Sequence, residues 1–559
     1  MQEQDRILIE KAKQLINENK LSEAENILIP INNEYSIFEI AKIKQMQGND
    51  NESEKLYKQV LQINPDSVES QLELARIYAR QRRIDLSKEF YNKYLEKVKD
   101  NADVYKEMAM LYESIGDNIQ SVKSIEKASS ISPDDIQMSF ELGIAYREAG
   151  RDEDSAKVFK KLLEREDVKN DKFLNNKALN EYEISTRKEI LESKPRAMIG
   201  MIMNKCNISC RICDIWSRPK WQEPDRILKE IVELLPYMED ICWQGGEVFY
   251  MKEFNSMLAE GVKCKNLNQV IFTNGLLLDE KNLEIIAKGN VELVLSIDGA
   301  TKETYEYIRR GANFETLCKK LELIKEVRKS TGAKINTYLN PVICRRNYKE
   351  IEQMVEFAHK YEFTSITLNP IRGIPEENIF EPIDEQAFEF MRKVVPVAEQ
   401  KSKEYGIRFN NWMPIDCSCN KIEFVQKDME DCCVKEQVND NIVEKDLAVQ
   451  KNAENQDNTE NNKKNDVSNI IEKPKKNRMI CYAPWQRLLL DNDGQVRPYA
   501  ICTKWIGSTG KNSLKEIWNG PQMQLYRRKL ADNDFMDLCQ PECISGQIRN
   551  KLCRPVEDK

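Results

Sequence analysis

The sequence predicts three structural parts in succession: an all-α helical solenoid, an α/β domain built on a parallel sheet, and a small α+β module rich in cysteine. Three observations support this prediction. A pattern recurs every 34 residues in the first third, short apolar runs alternate with amphipathic helical stretches in the middle, and cysteines and aromatic residues come together at the end. At 559 residues, the chain has room for about three to five domains.

The cysteine and histidine counts restrict the chemistry. The chain has 16 Cys and a single His, so a histidine metal site, a Ser/His/Asp triad or a histidine general base would each have to use His359. His359 lies in the helix-like run EFAHKYEF, which favours a partly exposed helical residue over a catalytic one. The composition therefore disfavours imidazole chemistry and favours chemistry based on sulfur.

The N-terminal segment MQEQDRILIEKAKQ is charged throughout and lacks the apolar core of a signal peptide. No apolar run reaches the roughly 18 residues that a membrane span needs. We therefore expect a cytoplasmic protein with no membrane partner, in which closely spaced cysteines bind metals more often than they form disulfides. The formal charge is −8 and no stretch concentrates Lys and Arg with aromatic residues, so nucleic acid is not an expected partner.

The 34-residue pattern is visible as aligned columns of small, aromatic and turn residues. Small residues at two columns predict that two helices approach closely, and a proline at the end of the second helix predicts where that helix stops. The columns are Tyr78, Tyr112 and Tyr146; Ala41, Ala75, Ala109 and Gly143; Ser53, Ser87, Ser121 and Ser155; Gly116 and Gly150; and Pro65 with Pro133.

These columns resemble the tetratricopeptide repeat (TPR) family over about residues 35–167, with a degenerate helix pair before them at about 5–31. The family's Trp is absent and its Ala positions are partly Ser. The resemblance implies stacked helix hairpins whose concave face binds a peptide or protein segment, although a helical spacer that binds nothing is the alternative. We assign residues 1–170 to TPR-like repeats and 171–195 to a linker helix.

The middle of the chain, residues 196–415, alternates strand-like and helix-like segments. Six such units in succession predict a parallel sheet, either doubly wound or curled into a barrel, with functional residues on the loops after the strands. The predicted strands are AMIGMIM (197–203), DICWQ (240–244), QVIFT (269–273), VELVLSI (291–297), KINTYLN (334–340) and SITLNP (365–370).

Directly after the first predicted strand comes CNISCRIC, a Cys-x3-Cys-x2-Cys array formed by Cys206, Cys210 and Cys213. Three thiolates this close can bind three corners of a four-iron cluster, whereas zinc would want a fourth ligand that is not evident nearby. In this position the array resembles the radical S-adenosylmethionine (radical SAM) superfamily, which implies a partial (β/α)6 TIM-type barrel. Ile212 departs from the family, which commonly has an aromatic residue there.

The same resemblance implies binding residues for S-adenosylmethionine. Gly245, Gly246 and Glu247 match the family's glycine-rich motif, which receives the cofactor's amino group. Asn274 follows the third strand, where a structural role is favoured over a contact with the cofactor. After the fourth strand, Ser296 and Asp298 would lie near the ribose or methionine, and Arg309 would pair with the cofactor carboxylate, with Arg310 as the alternative.

The chemistry that this resemblance implies begins with one-electron reduction of a 4Fe-4S cluster. Electron transfer then cleaves S-adenosylmethionine to methionine and a 5'-deoxyadenosyl radical, which abstracts hydrogen from an unactivated carbon. The implied electron donor is a one-electron reductant such as flavodoxin or ferredoxin.

The C-terminal third contains a region predicted to be disordered and a second cysteine-rich module. Residues 416–478 form a bridge, of which 434–478 have ten Asn and no Gly or aromatic residue. Residues 479–559, with predicted strands around LLLDNDGQV and a helix at SLKEIW, resemble the SPASM or shorter twitch extension of radical SAM enzymes.

The SPASM or twitch resemblance implies one auxiliary 4Fe-4S cluster. Its ligands would be Cys481, Cys502, Cys539 and Cys543, with Cys553 as a possible replacement. The match is incomplete, because Tyr499 stands where the family has a cysteine and the full seven-cysteine pattern is absent. The other cysteines are interpreted as buried or incidental thiols: Cys242, Cys264, Cys318, Cys344, Cys417, Cys419, Cys432 and Cys433.

Three functions follow as hypotheses. The first is a radical SAM oxidoreductase or maturase that acts on a peptide or protein, which the repeats recruit. The second keeps the chemistry but acts as a dehydrogenase or epimerase on a carbohydrate or small metabolite. The third is a non-catalytic TPR scaffold, which the intact cysteine loop, Glu247 and Arg309 disfavour.

Overall fold

The computed structural model describes residues 3–18, 20–415, 481–502, 504–534 and 538–539. The chain forms two compact units, Met1–Leu162 and Leu163–Lys559. The predicted bridge, 416–478, lies outside the described residues. Among the described helices, none is long and apolar enough to cross a bilayer.

The first unit is built from successive helix pairs, as the repeat pattern predicts. Its helices are α1 Glu3–Asn17, α2 Leu21–Leu28, α3 Glu34–Met46, α4 Asp50–Ile63, α5 Val68–Arg80, α6 Ile84–Lys97, α7 Ala102–Ser114, α8 Asn118–Ile131, α9 Ile136–Glu148 and α10 Asp152–Glu164. The first helix of each repeat begins after a capping residue, and these caps again lie 34 residues apart. Asn33, Ser67, Asn101 and Asp135 each accept a hydrogen bond from a backbone N–H of the first turn.

The two columns of small residues meet inside each helix pair. The hydroxyl of Ser53 donates to the carbonyl of Ala41 at 2.9 Å, and that of Ser87 donates to Ala75 at 2.9 Å. Ser155 makes the same bond to Gly143, where an added Cβ would lie 2.4 Å from the Phe159 ring. The columns therefore mark points where two helices touch, and serine at the family's alanine position satisfies its hydroxyl on the neighbouring backbone.

The turn inside each repeat uses a left-handed residue. Gly48, Gly116 and Gly150 have φ of 75°, 75° and 74°, but the equivalent position in the second repeat is Arg82, with φ of 56°. An added Cβ at the three glycines would meet nothing within 4 Å, so the backbone conformation alone decides the preference for glycine.

Replacing Arg82 with Gly is expected to stabilise the repeats by about 0.5–1 kcal/mol, since relief of left-handed strain outweighs the entropy that glycine adds to the unfolded chain. Gly116→Arg should destabilise them by a similar amount. Urea unfolding followed by circular dichroism measures both, and a destabilising Arg82→Gly would contradict the argument.

The second unit contains a mostly parallel sheet covered by helices. Its helices are α11 Glu166–Asn170, α12 Lys172–Ser185, α13 Asp225–Leu234, α14 Phe254–Gly261, α15 Glu280–Ile286, α16 Lys302–Ile308, α17 Phe314–Thr331, α18 Ile351–Lys360, α19 Glu385–Glu404, α20 Ala483–Gln486, α21 Leu514–Trp518 and α22 Pro521–Ala531. Its strands are β1 Ala197–Met203, β2 Asp240–Gly245, β3 Asn268–Thr273, β4 Val291–Leu295, β5 Asn336–Leu339, β6 Val342–Ile343, β7 Ser365–Pro370, β8 Arg408–Asn411, β9 Arg487–Leu490, β10 Gln495–Arg497 and β11 Gly507–Ser508.

All six predicted strands are present, as β1 to β5 and β7. They pair in parallel in the order β1-β2-β3-β4-β5-β7, and β8 continues the sheet beside β7. Because each strand lies beside its predecessor, the sheet has the order of a barrel and not the reversed order of a doubly wound fold. This confirms the partial barrel, with one β/α unit more than predicted.

The C-terminal module extends the same sheet. Strand β9 pairs in parallel with β1, aligning Ala197 with Arg487, and β10 and β11 follow in antiparallel order. The predicted strands around LLLDNDGQV and the helix at SLKEIW are therefore confirmed as β9, β10 and α21. The sequence did not predict that β9 joins the edge of the barrel sheet.

Helix α12, predicted within a linker, is an integral part of the second unit. The Asn176 side chain donates to the carbonyls of Lys194 and Tyr237 at 3.2 and 3.0 Å. Asn180 donates to the Trp485 carbonyl of the C-terminal module at 2.7 Å. The helix therefore holds the first barrel strand and the C-terminal module together.

Candidate functional site

The loop that carries Cys206, Cys210 and Cys213 follows β1 and is fastened to the end of α16. The backbone N–H of Ser209 donates to the Arg310 carbonyl at 2.9 Å, and that of Arg211 donates to the Ile308 carbonyl at 2.8 Å. These bonds place the three thiols at the carboxyl end of the parallel sheet, where barrel folds carry their functional residues.

The three thiols are free of disulfides, with Cys210 buried and the other two half-buried. Burial raises the pKa of the Cys210 thiol to about 11, and the Arg309 guanidinium opposes this rise. Burial also raises the pKa of Cys206, and the nearby Cys213 thiol adds to this rise. Within the described ranges, no three His, Cys, Asp or Glu side chains are grouped so as to hold a single metal ion.

Gly245 and Gly246, at the end of β2, lie against the start of the cysteine loop. An added Cβ at Gly245, whose φ is 133°, would lie 2.1 Å from the Met203 carbonyl oxygen. At Gly246 it would lie 2.0 Å from that of Lys205. Close packing thus explains why both positions are glycine, because any side chain would push the cysteine loop away from β2.

Glu247 is buried, with its carboxylate directed at the end of β3. It accepts hydrogen bonds from the Thr273 hydroxyl and the Asn274 backbone N–H, both at 2.8 Å. Burial raises the pKa of Glu247, and these two hydrogen bonds oppose the rise. The predicted contact of Glu247 with the cofactor's amino group stays a prediction, and the carboxylate joins the ends of two neighbouring strands.

Asn274 connects the end of β3 to the cysteine loop. Its amide donates to the Asn207 side chain at 2.8 Å and lies 3.9 Å from the Cys206 sulfur. This contact is of the structural kind, and a contact of Asn274 with the cofactor stays a prediction. Asn207, which the sequence analysis did not single out, completes the link and could have been suspected only from its place between two loop cysteines.

Ser296, Asp298 and Arg309 follow β4. Ser296 is half-buried, and its backbone N–H donates to the Thr273 carbonyl at 2.9 Å. Asp298 is fully buried and accepts from the Val342 N–H at 2.8 Å, while its other oxygen lies 2.7 Å from Arg309 Nη2. The carboxylate beside Arg309 is therefore that of Asp298, and a bidentate contact of Arg309 with the cofactor stays a prediction.

The predicted auxiliary ligands are described in part. Cys481 precedes α20, Cys502 follows β10, and Cys481 and Cys539 pack against the core of the second unit. Burial raises the pKa of Tyr526, and the thiols of Cys502 and Cys539 add to the rise, so both lie near this ring. Cys543 and Cys553 lie outside the described residues.

The segments on both sides of the cysteine loop, around Asn204 and around Trp221, contact the C-terminal module. The Asn204 side chain donates to the Pro219 and Asn492 carbonyls at 2.7 and 3.2 Å. Gly494 lies so close to the Trp221 ring that an added Cβ would be 2.2 Å from it. The carboxyl of Glu223 is buried at this junction, and neither of its oxygens has a hydrogen bond of good geometry among the described residues.

Burial raises the pKa of Glu223 from its ordinary 4.5 to about 7. The folded pKa of Glu223 lies above the unfolded value. Below both values the carboxyl is protonated in the folded and the unfolded state, so burying it then costs nothing for burial of a charge. Between its unfolded and folded pKa values, the folded state holds a proton that the unfolded state has lost. Stability from this group is therefore present below 4.5 and is lost as the pH rises to about 7, by about 3 kcal/mol in total.

Glu223→Gln should accordingly stabilise the protein at pH 8 by about 1–3 kcal/mol relative to wild type, and should give almost no gain at pH 4, below the unfolded pKa of 4.5. Urea unfolding at the two pH values measures this difference. Glu389→Gln is the control, because this exposed carboxylate has its pKa lowered only by a solvent-screened contact with Lys393, and it should change the pH dependence far less than Glu223→Gln. An unchanged pH dependence in Glu223→Gln would contradict the prediction.

Comparison with protein-family models follows the order of these parts. Residues 201–358 match the Radical SAM superfamily, 481–544 match the SPASM iron-sulfur cluster-binding domain, and 46–111 and 102–135 match tetratricopeptide repeats. The chain thus carries repeat, radical SAM and SPASM domains in the predicted order. A radical SAM domain implies an enzyme that uses a 4Fe-4S cluster and S-adenosylmethionine, and the SPASM domain supports an auxiliary iron-sulfur cluster.

Among curated proteins, the chain is similar to two GTP 3',8-cyclases. That of Peptoclostridium acidaminophilum is 32% identical over 188 residues, which are 31% of this chain and 54% of the relative. That of Synechocystis is 27% identical over 171 residues, which are 29% and 50%. The chain thus spans about half the length of these relatives.

Among solved structures, the chain is similar to SuiB of Streptococcus suis. SuiB bound to S-adenosylmethionine has a TM-score of 0.42 and 13% identity, covering 70% of this chain and 83% of that chain. SuiB bound to the precursor peptide SuiA has a TM-score of 0.42 and 15% identity, covering 70% and 82%.

The residues at the carboxyl end of the parallel sheet fit an iron-sulfur cluster. They offer three thiols on one loop with no disulfide among them, and a buried guanidinium next to Cys210 that favours the thiolate form. Cys206, Cys210 and Cys213 would hold the cluster there, and the cluster would supply the electron that cleaves S-adenosylmethionine.

Proposed function

We propose that this chain, which carries a radical SAM domain and a SPASM domain, reductively cleaves S-adenosylmethionine and abstracts hydrogen from a peptide or protein. In this proposal the repeats recruit that substrate, which makes the enzyme an oxidoreductase or maturase. When bound, the cluster and cofactor supply the one-electron cleavage that gives methionine and a 5'-deoxyadenosyl radical.

The observation that carries the proposal is that residues after β2, β3 and β4 all approach the cysteine loop, which itself follows β1. The two glycines after β2 pack against the loop, and Asn274 after β3 binds it through Asn207. Arg309, beyond β4, approaches Cys210 to 3.9 Å. The sheet thus holds a thiol-bearing loop in one position, as a site that binds a cofactor needs.

The repeats support the choice of a peptide or protein as substrate, because stacked helix hairpins suggest an interaction with another protein. Within the first unit, an open groove of about 580 Å³ runs between α6, α7 and α8. Leu95, Tyr105, Met108 and Tyr112 line it together with five polar or charged side chains, so it offers a mixed apolar and polar surface to an extended segment. A flavodoxin or ferredoxin is the proposed electron donor.

A small metabolite is the second candidate substrate, and the GTP 3',8-cyclase relatives favour it. Their similarity covers about half of their length, which is too little to identify the substrate. On this alternative the repeats would serve assembly and not substrate capture.

The proposed activity is tested by anaerobic reconstitution with iron and sulfide, followed by dithionite and S-adenosylmethionine. We expect 5'-deoxyadenosine and methionine in equal amounts. An iron-loaded protein that forms neither product would refute the activity.

The two substrate classes are separated by adding GTP and by removing residues 1–164. Consumption of GTP by the reconstituted enzyme would favour the small-metabolite alternative. The test uses a peptide that the full chain modifies. If the shortened protein forms 5'-deoxyadenosine as the full chain does but no longer modifies that peptide, the repeats recruit the peptide. Equal peptide modification by both proteins would exclude recruitment.

A further inference from the structure

Three buried polar residues surround Cys210 on the side of α16. Asp298 and Tyr305 are fully buried, and Arg309 is 8% exposed. Tyr305 and Arg309 lie four residues apart at the end of one helix and therefore share a face. None of the three is at the protein surface, so their contacts concern the interior of the site.

The guanidinium of Arg309 is placed between a thiol and a carboxylate. Its Nη1 lies 3.9 Å from the Cys210 sulfur, and its Nη2 lies 2.7 Å from Asp298 Oδ2. The second contact is a buried ion pair. The positive charge of Arg309 therefore lies next to the Cys210 sulfur, and the carboxylate of Asp298 partly compensates that charge.

Two donors of this group have no hydrogen-bond partner among the described residues, namely Arg309 Nε and the Tyr305 hydroxyl. Buried donors are rarely left without an acceptor, so these two are available to a group bound beside them. A cluster held by the neighbouring cysteine loop would offer thiolate and sulfide sulfur as acceptors. The pair of donors is thus suited to a negatively charged sulfur site.

We propose that Arg309 is a positioning residue that raises the reduction potential of the iron-sulfur cluster on Cys206, Cys210 and Cys213, with Asp298 limiting the effect and Tyr305 assisting it. This inference rests on the proposed function, since it requires that Cys210 binds the cluster. Reduction adds one negative charge to the cluster. A buried cation next to a ligand sulfur stabilises that charge, and a buried carboxylate destabilises it.

The proposal predicts shifts of opposite sign. Arg309→Gln removes the cation and should lower the potential, making the reduced cluster at least tenfold less favoured, which is 59 mV for a one-electron couple. Asp298→Asn should raise the potential, because Arg309 is then uncompensated, while the amide oxygen still accepts from the Val342 N–H. Arg309→Lys keeps the charge and should stay near wild type, and Tyr305→Phe should lower the potential by less than Arg309→Gln.

The measurement is a redox titration of the reconstituted full chain, monitored by electron paramagnetic resonance without S-adenosylmethionine. Iron content and the signal of the wild-type cluster are recorded first. Lys302→Gln is the matched control, because Lys302 is on α16 but is exposed and pairs with Glu315 at 2.9 Å, so solvent screens its charge. This control should leave the potential at the wild-type value.

The outcomes are separable. A wild-type protein that assembles no cluster on the three cysteines would refute the proposed function. A loaded cluster whose potential stays the same, or shifts in the same direction, in Arg309→Gln and Asp298→Asn would refute this inference alone. Weaker binding of S-adenosylmethionine by Arg309→Gln at an unchanged potential would also refute it, because the guanidinium would then serve the cofactor. If Arg309→Gln fails to fold, the sign of the Asp298→Asn and Tyr305→Phe shifts decides the matter.

Discussion

Replacing Cys206, Cys210 or Cys213 with Ala is expected to abolish formation of 5'-deoxyadenosine. Each substitution removes one of three thiolates that would bind the cluster, and cleavage of the sulfonium needs the electron that the cluster supplies. The loss should be complete with dithionite as reductant, so that it cannot be attributed to a missing protein donor. Liquid chromatography with mass detection of 5'-deoxyadenosine, together with iron content, measures the effect.

Cys264→Ala is the matched control for this loss. Cys264 is a half-buried free thiol on the same domain, and its sulfur contacts only the carbonyl of Glu260, at 3.7 Å, among the hydrogen bonds of the described residues. It should retain the wild-type yield and iron content. A loop variant that still forms 5'-deoxyadenosine at the wild-type rate would remove the three cysteines from the catalytic centre.

The cysteine loop and the barrel were predictable because their signals are local. Six strands appear as short apolar runs in the sequence, and the structure has all six within a residue or two. The Cys-x3-Cys-x2-Cys spacing fixes three thiols within one loop regardless of the rest of the fold. Strand β8 was missed because its sequence, RFNN, has no apolar run, although it pairs with β7.

Contacts that depend on distant segments were not predictable. The glycines of β2 were assigned to the cofactor, but they are also required by the carbonyls of Met203 and Lys205. Arg309 was assigned to a carboxylate, and the one beside it in the structure is Asp298, eleven residues earlier in the chain. Spacing alone does not reveal that Asp298 faces Arg309, because that depends on how the turn between β4 and α16 folds.

Helix α12 shows the same limit for a whole element. Its sequence indicates a helix but contains few large apolar residues, so a connecting role was the natural interpretation. In the structure its polar residues are buried, and Asn176, Asn180 and Glu183 bond to backbone groups of other segments. Burial of polar side chains leaves no periodic signal in a sequence, because the partners come from elsewhere in the chain.

The buried ion cluster below β1 gives the second prediction of large effect. Arg196, at the start of this strand, donates to Glu181 of α12 and to Glu239 before β2, the latter at 2.7 Å. Arg196 and Glu181 are each 2% exposed, and Lys177 lies 3.0 Å from Glu239. Burial alone would raise the pKa of Glu239, but Arg196 and Lys177 outweigh it and lower the pKa.

Arg196→Met is expected to destabilise the second unit by about 3–5 kcal/mol, because it removes the guanidinium that pairs with the buried carboxylate of Glu181 and with Glu239. Arg196→Lys should lose less, since one ammonium keeps the charge but cannot bond to both carboxylates as a guanidinium does. Urea unfolding followed by tryptophan fluorescence measures these changes. The loss should shrink at low pH, because the stability that comes from the lowered pKa of Glu239 is complete above the unfolded value of 4.5 and is lost as the pH falls toward the folded value.

Two further variants separate the cost of an unpaired charge from the worth of the ion pair. Arg196→Met combined with Glu181→Leu should recover most of the lost stability, since an apolar pair can replace a buried ion pair at little cost. Arg528→Met breaks an exposed pair with Glu189, 2.7 Å apart, and should cost only about 0–1 kcal/mol. If the single and double variants at Arg196 were equally unstable, the loss would come from packing around β1, and the buried charge would not be its cause.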